Sequence, residues 1–418
     1  FLGARSALAL VGPLVLRYSI KKGAAVAAIM AAFAYAMMAG ATVPTLRAFL
    51  MISVVLCAVI FERRGLSLRL IAFAATVILL LKPESLLGAS FQLSFAAVTA
   101  LVAVYEVITE RKRPNGRRNW STKLLLYIGG VLLTTLIAGL ATAPYAAFHF
   151  NRFADYGLAA NLLAVPMTGL WVMPWAVVAF ALMPLGLEHL ALAPMGWGVD
   201  LIIRISAEVA SWPGAVTLLP AMSDLGLAAI TLGGLWLCLW RRTWRLAGLG
   251  GVAAGLASLL WVESPDILVD EKGRLMGLMN PQGQLMVSSL QTARFTRDIW
   301  LRRAGQETPS SWRKGEQVPA CDTLGCVYTV RGKKIALVRD EGAVDEDCRI
   351  ADILIASVPV RQRCEGPSLV IDRFDLWRNG TYAIWLHEGG GYRLKTVNGE
   401  RGHRPWVLRP RGEKKDGV

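Results

Sequence analysis

Histidine is the scarcest chemistry-bearing residue in this 418-residue chain. His149, His189, His387 and His403 are the four present, and none lies within five residues of another. A hydrolytic metal centre needs several such ligands to converge. The HEGGG stretch at His387 lacks the second histidine that would make a zinc helix. RGKK, at residues 331–334, has neither the upstream glycine spacing nor the hydroxyl of a phosphate-cradling loop, and there is no GxSxG nucleophile elbow. The sequence therefore predicts no enzyme, no ATP site, no metal and no cofactor.

Cysteine offers a second constellation. Cys321, Cys326, Cys348 and Cys364 all fall in the last third of the chain, with four residues inside the first pair and fifteen inside the second. Structural zinc sites usually show a close pair at each end. This spacing favours two disulfides, or free thiols, over zinc. Disulfides would imply an oxidising compartment.

The third set of residues is polar and sits in oily surroundings: Arg47, Gln92, Ser94, His149, Arg152 and Asn161. An amide or hydroxyl in hydrocarbon costs free energy unless something satisfies it. Gln92 and Ser94 are two apart, so on a helix they point about 200° apart. Pro144 is expected to end a helix just before the aromatic, weakly basic stretch from Tyr145 to Phe153. Asn161 lies shortly before Pro166, which is expected to break a long span. Each polar group alone fits an interhelical hydrogen bond. Their association with proline-broken spans points also to a conduit, because irregular backbone at membrane depth is tolerated where it lines a cavity.

The elements that must position these groups follow from composition. The chain is 54% hydrophobic and 18% charged, too apolar for an ordinary soluble protein. Apolar runs of membrane-crossing length recur up to residue 262, and ordinary soluble composition follows. The expected fold class is a polytopic α-helical membrane domain with broken helices over residues 1–262, then a small mixed α/β soluble domain over 263–418. Spans are expected near residues 8–16, 24–41, 47–61, 69–81, 91–107, 124–143, 157–183, 199–212, 225–240 and 246–262. Phe1 to Leu16 reads as the end of an apolar helix, so the chain is expected to be the C-terminal part of a longer protein.

Net charge is +15, and the first 262 residues carry +11 of it, with 20 basic against 9 acidic residues. Two readings fit and are compatible: loop charges that set topology, and a polyanionic partner. The most basic loop is ITERKRPNGRRNWSTK, with Arg111, Lys112, Arg113, Arg117 and Arg118. That loop, RYSIKK, FERRGLSLR and RRTWR are expected on the cytoplasmic side, and ATVPT, KPESLLGAS and FHFNRFADYG outside. The last span then exits outward and carries the soluble domain to the outer face.

The run KPESLLGASFQLSFAAV closely resembles the hallmark of the ComEC family, inner-membrane channel proteins of bacterial DNA uptake. Its helix break and Phe91, Gln92, Leu93, Ser94, Phe95 match. So do Arg47 in TVPTLRAFLM, and Pro144, Phe148, Phe153, Asn161 and Pro166 further on. The resemblance covers roughly residues 8–261. It implies a channel for single-stranded DNA across the bacterial inner membrane, with the bilayer, single-stranded DNA and other DNA-uptake proteins as partners. His149 and Arg152 would then sit at the outer mouth, and Gln92, Ser94 and Asn161 would line or brace the path. Many members end in a metallo-β-lactamase-like domain. Here Ser357, Val358, Pro359 and Val360 stand where paired metal-binding histidines would be expected. The resemblance thus implies a degenerate, metal-free version of that domain, without nuclease activity. The competing expectation, from the broken helices alone, is a small-solute secondary transporter with a periplasmic accessory domain.

Overall fold

The computed structural model describes residues 19–61, 67–111, 119–280, 282–312, 320–360, 364–387, 391–402 and residue 404. The expected helix end at residues 8–16 lies outside them. The chain divides into two compact units. One comprises Phe1–Thr217 and Met222–Leu259, the other Leu218–Ala221 and Leu260–Val418.

The first unit is helical. It opens with α1 (Ile20–Met38), α2 (Val43–Ile60) and α3 (Leu68–Leu81). The Ser67 hydroxyl caps α3 by accepting from the Leu70 N–H. Lys82 then leaves helical geometry, as a residue before proline is pushed to do. Pro83–Leu87 forms a single 3-10 turn, and α4 (Ala89–Arg111) begins after Gly88. The break anticipated at Lys82-Pro83 is therefore real.

Two other proline expectations need correction. α5 runs from Trp120 to Phe150 with Pro144 inside it, so the helix does not end there. Proline removes one ladder bond, but packing holds the last two turns: Tyr145 and Ala147 are buried. Pro166 likewise lies inside α6 (Gly157–Met167). The distortion appears just after it, as a π turn over Thr168–Val172, before α7 (Met173–Leu182) continues the rod. The Thr168 hydroxyl donates to the Ala164 carbonyl there. A π turn absorbs the mismatch without breaking the span.

The span expected over residues 199–212 is the second half of a longer helix, α8 (His189–Ser211). Trp171 Nε1 donates to the Pro194 carbonyl at 2.8 Å and joins the π turn to α8. Asp200, Arg204 and Glu208 are all exposed on α8. α9 (Asp224–Leu239) and α10 (Ala247–Ala257) form a tight hairpin. A Cβ on Gly233 would stand 2.5 Å from the Gly248 carbonyl oxygen, and one on Gly255 2.5 Å from that of Gly226. Only hydrogen fits between these backbones.

Six helical spans among the described residues are long and apolar enough to cross a bilayer: Ile20–Met38, Ala89–Ile108, Trp120–Phe150, Gly157–Leu185, His189–Ser211 and Thr243–Trp261. Large apolar side chains cover their outer surface; Leu125 is 71% exposed and Leu170 71%. A surface of this kind needs lipid around it.

The second unit has four layers. One sheet has the order β13-β12-β3-β4-β5-β6, the other β11-β10-β9-β8-β7. β3 (Ile267–Val269), β4 (Met276–Met279) and β5 (Leu285–Val287) make an antiparallel meander. β6 (Ser310–Ser311) lies at its edge, and β12 (Tyr382–Leu386) and β13 (Tyr392–Thr396) close the other side. In the second sheet β7 (Ala320–Cys321) pairs with β8 (Gly325–Val330), and β8 with β9 (Lys333–Val338), through a turn at Arg331-Gly332 where both residues have positive φ. β10 (Ile353–Ala356) runs parallel to β9 and to β11 (Leu369–Ile371).

Between the sheets Ile267, Leu278, Ile335, Leu337, Ile353 and Ile384 are fully buried. α11 (Arg294–Arg303) covers one outer face through Trp300 and Leu301. α12 (Val344–Ile350) covers the other. The short helices α12, α13 (Arg373–Asn379) and α14 (Val397–Arg401) were not anticipated.

Candidate functional site

Gln92 sits in the first turn of α4, directly after the 3-10 turn. Its Nε2 donates to the Leu86 carbonyl at 3.0 Å, within that turn. Its Oε1 lies 2.8 Å from His149 Nε2 near the end of α5. An amide oxygen can only accept, so His149 Nε2 is the donor. One side chain thus ties three pieces together: the broken segment, the helix that follows it, and the far end of α5. Such a connection satisfies the amide's need for partners in an apolar setting.

The neighbouring residues use the other faces of α4. Phe91 and Phe95 are four apart, with ring centroids 4.3 Å from each other. They bury against Ala74 and Ile78 of α3, with Leu50, Met51 and Val54 of α2 alongside. Leu93 and Ala96 pack toward Tyr145, Leu227 and Ile230. The Tyr145 hydroxyl donates to Thr231 Oγ1 at 3.1 Å, and Thr231 donates to the Leu227 carbonyl. The Phe-Gln-Leu-Ser-Phe run therefore wedges α4 between α2/α3 on one side and α5/α9 on the other. Ser94 is half-buried.

α5 ends in a stop that reinforces this junction. Asn151 takes the left-handed conformation (φ 54°, ψ 31°), its N–H donates to the Ala147 carbonyl, and it is buried. Asparagine is among the few residues that adopt this geometry readily. β1 (Arg152–Ala154) then pairs with β2 (Val216–Leu218) in a small ribbon. The Asp155 N–H donates to the Ala215 carbonyl, and the Thr217 hydroxyl donates to the Asp155 carboxylate at 2.8 Å. At the opposite end of α4, Glu106 pairs with Arg241, which follows α9, at 2.8 Å.

The remaining predicted positions do not gather at this junction. Arg152 is exposed on β1, and Asn161 is exposed on α6. Arg47 lies on the first turns of α2, and Arg111 is the last residue of α4. Lys112, Arg113, Arg117 and Arg118 lie outside the described residues. Tyr145 to Phe150, expected as a loop, are helical. The contributions of Asn151, Thr231 and Asp155 were missed. Asn151 alone carried a local signal, an asparagine directly after an apolar helical run.

In the second unit Cys321 is bonded to Cys326 and Cys348 to Cys364. Among the described residues no three His, Cys, Asp or Glu side chains come together in a way that could hold a metal. Asp347, beside Cys348, has its carboxyl pushed above the usual range, first by burial and then by Glu346 and Asp322.

The chain is 30% identical over 151 residues to "ComE operon protein 3" of Bacillus subtilis (strain 168). That stretch is 36% of this chain and spans 18% of the relative's length. No solved structure matches. The family model described as "Competence protein" matches residues 2–244, more than half of the sequence, and the chain belongs to that family.

Proposed function

We propose that this chain forms a conduit for single-stranded DNA across a bacterial inner membrane during natural transformation, working without catalysis or a cofactor. The observation that carries the reading is the pinned break at Pro83–Leu87, where Gln92 joins irregular backbone to the end of α5. Broken backbone inside a membrane protein serves ions or polar solutes where it is braced by neighbours. Membership of the Competence protein family and the similarity to ComE operon protein 3 support DNA uptake as the task. A polyanion needs scattered positive charge, strong enough to admit it and weak enough to let go. Arg152, exposed beside the ribbon, suits the outer mouth. The loop with Arg111 suits the cytoplasmic end.

Two observations support placing the second unit on the extracytoplasmic side. Its paired cysteines suit an oxidising compartment. In addition, the ends of α4 and α9 that meet at Glu106 and Arg241 both adjoin basic loops of the kind held in the cytoplasm. The four-layer arrangement of that unit supports a metallo-β-lactamase-like origin, and Ser357 to Val360 in place of paired histidines support a role without hydrolysis. The DNA receptor and the cytoplasmic motor would be separate proteins.

The test is deletion of the gene followed by tracking of labelled DNA. DNA should stop outside the cytoplasm and transformation should fail. Normal transformation frequency, with loss of uptake of a small solute instead, would establish the transporter reading.

A further inference from the structure

A cleft of about 540 Å³ opens at one edge of the second unit. Arg274, Arg339, Ser288, Ser289, Thr292 and Ser357 line it. These residues come from strand ends in both sheets. Arg274 lies in the β3–β4 turn, Ser288 to Thr292 lead from β5 into α11, Arg339 follows β9, and Ser357 follows β10. Strand ends and the loops after them are where α/β folds commonly hold ligands.

The charge of the lining has one sign, and its hydroxyls divide: Ser357 donates to the Val338 carbonyl and Ser289 to Thr292, which leaves Ser288 and Thr292 as the hydroxyl donors. Arg274 and Arg339 make no ion pair with a carboxylate among the described residues. No acidic side chain lines the cleft, and three aspartates of the same unit are turned to backbone N–H groups. Asp270 accepts from the Leu275 N–H, Asp340 from Gly342, and Asp372 from Phe374 and Asp375. The Ser288 oxygen already accepts from the Met276 N–H, and the Thr292 oxygen accepts from Ser289. Their own O–H groups are left to donate into the cleft. Gly273 holds the turn in place at φ +65°, and a Cβ there would stand 3.1 Å from the Ser357 Cβ. Two guanidinium groups and two hydroxyl donors facing one concave space, with no carboxylate among the described residues to balance them, match a tetrahedral oxyanion.

We propose that this cleft is a binding site for a phosphate oxyanion, held without being cleaved. The site stands on the cleft's own chemistry and does not depend on DNA passing through the membrane unit. The oxyanion can come from a free phosphate or nucleotide, or from a phosphodiester of a strand.

The test uses the full chain purified in detergent, titrated with inorganic phosphate, with a nucleoside 5′-monophosphate, and with a short single-stranded oligonucleotide that competes against phosphate. Saturable phosphate binding is expected. Arg274→Ala with Arg339→Ala should weaken it at least about tenfold. Arg349→Ala, on the exposed surface of α12, should leave it unchanged. The Arg→Lys pair, which keeps charge but loses the planar fork, should fall between. Displacement by the oligonucleotide would identify a strand as the source, and displacement by the mononucleotide alone would identify a free phosphate. No saturable phosphate binding by the unaltered chain would overturn the proposal. So would equal binding by the folded double-alanine variant. Neither result would touch the DNA-conduit reading, which the deletion experiment decides.

Discussion

The two units bury opposite kinds of residue. In the helical unit the most deeply buried positions are small: Ala24, Ala25 and Ala191 are fully buried, and Gly233 and Gly255 sit between backbones. Its large apolar side chains point outward; Leu80 is 79% exposed and Leu232 68%. In the sheet unit Leu337, Leu354 and Ile355 are fully buried between layers. The difference follows from the solvent. Water rewards removing large apolar surface, whereas lipid tails are as apolar as leucine and reward close backbone approach and satisfied polar groups. The Gln92 junction belongs to the first regime. It holds helices together through hydrogen bonds and not through aliphatic bulk.

This contrast can be broken experimentally. Ile355→Ala should cost the sheet unit about 2–4 kcal/mol through a lost side chain and a residual cavity. Leu232→Ala in the helical unit should change stability by less than about 0.5 kcal/mol. Denaturant unfolding of the full chain, with limited proteolysis to separate the units, measures both. Equal losses would erase the distinction.

The disulfides sharpen the sheet side. Replacing Cys348 and Cys364, 16 apart in sequence, with serine should cost about 3 kcal/mol. Replacing Cys321 and Cys326, 5 apart, should cost about 2, because the shorter loop restrains the unfolded chain less. The same unfolding curves test the order.

A titration sharpens it further. Burial is the main cause that pushes the Tyr382 hydroxyl from 10.0 up to about 12, partly opposed by the hydrogen bond from Asn379. The folded state thus favours the neutral phenol. Its contribution to stability is complete below pH 10 and is lost as pH rises toward 12. Stability should fall by about 2–3 kcal/mol across that window. Tyr382→Phe should flatten that part of the curve, and an unchanged slope in the variant would contradict the assignment.

Much of this contrast was legible in the sequence, for physical reasons. The division into apolar and ordinary halves is written in composition, and the Pro83 break in a proline that follows a residue forced out of helix. Pro144 and Pro166 misled because proline's local cost was outweighed by tertiary packing around Tyr145 and by a π turn. α12 and α13 went unseen because helices of seven residues show too little periodicity to read. The partner of Gln92 could not be read at all. His149 lies 57 residues away, and only the packing of α4 on α5 brings the imidazole and the amide together.

That pair carries the central proposal, that the hydrogen-bonded break between α3 and α4 frames a path for DNA. Gln92→Leu keeps the bulk and removes both bonds, which should cost about 1–3 kcal/mol by leaving the Leu86 carbonyl and the His149 N–H unpaired. The direct measurement is internalisation of labelled DNA by cells carrying this variant at normal protein level in the membrane, beside Asn161→Ala, whose side chain is exposed. The expected result is loss of DNA internalisation with Gln92→Leu and none with Asn161→Ala. Full internalisation with Gln92→Leu would contradict the claim.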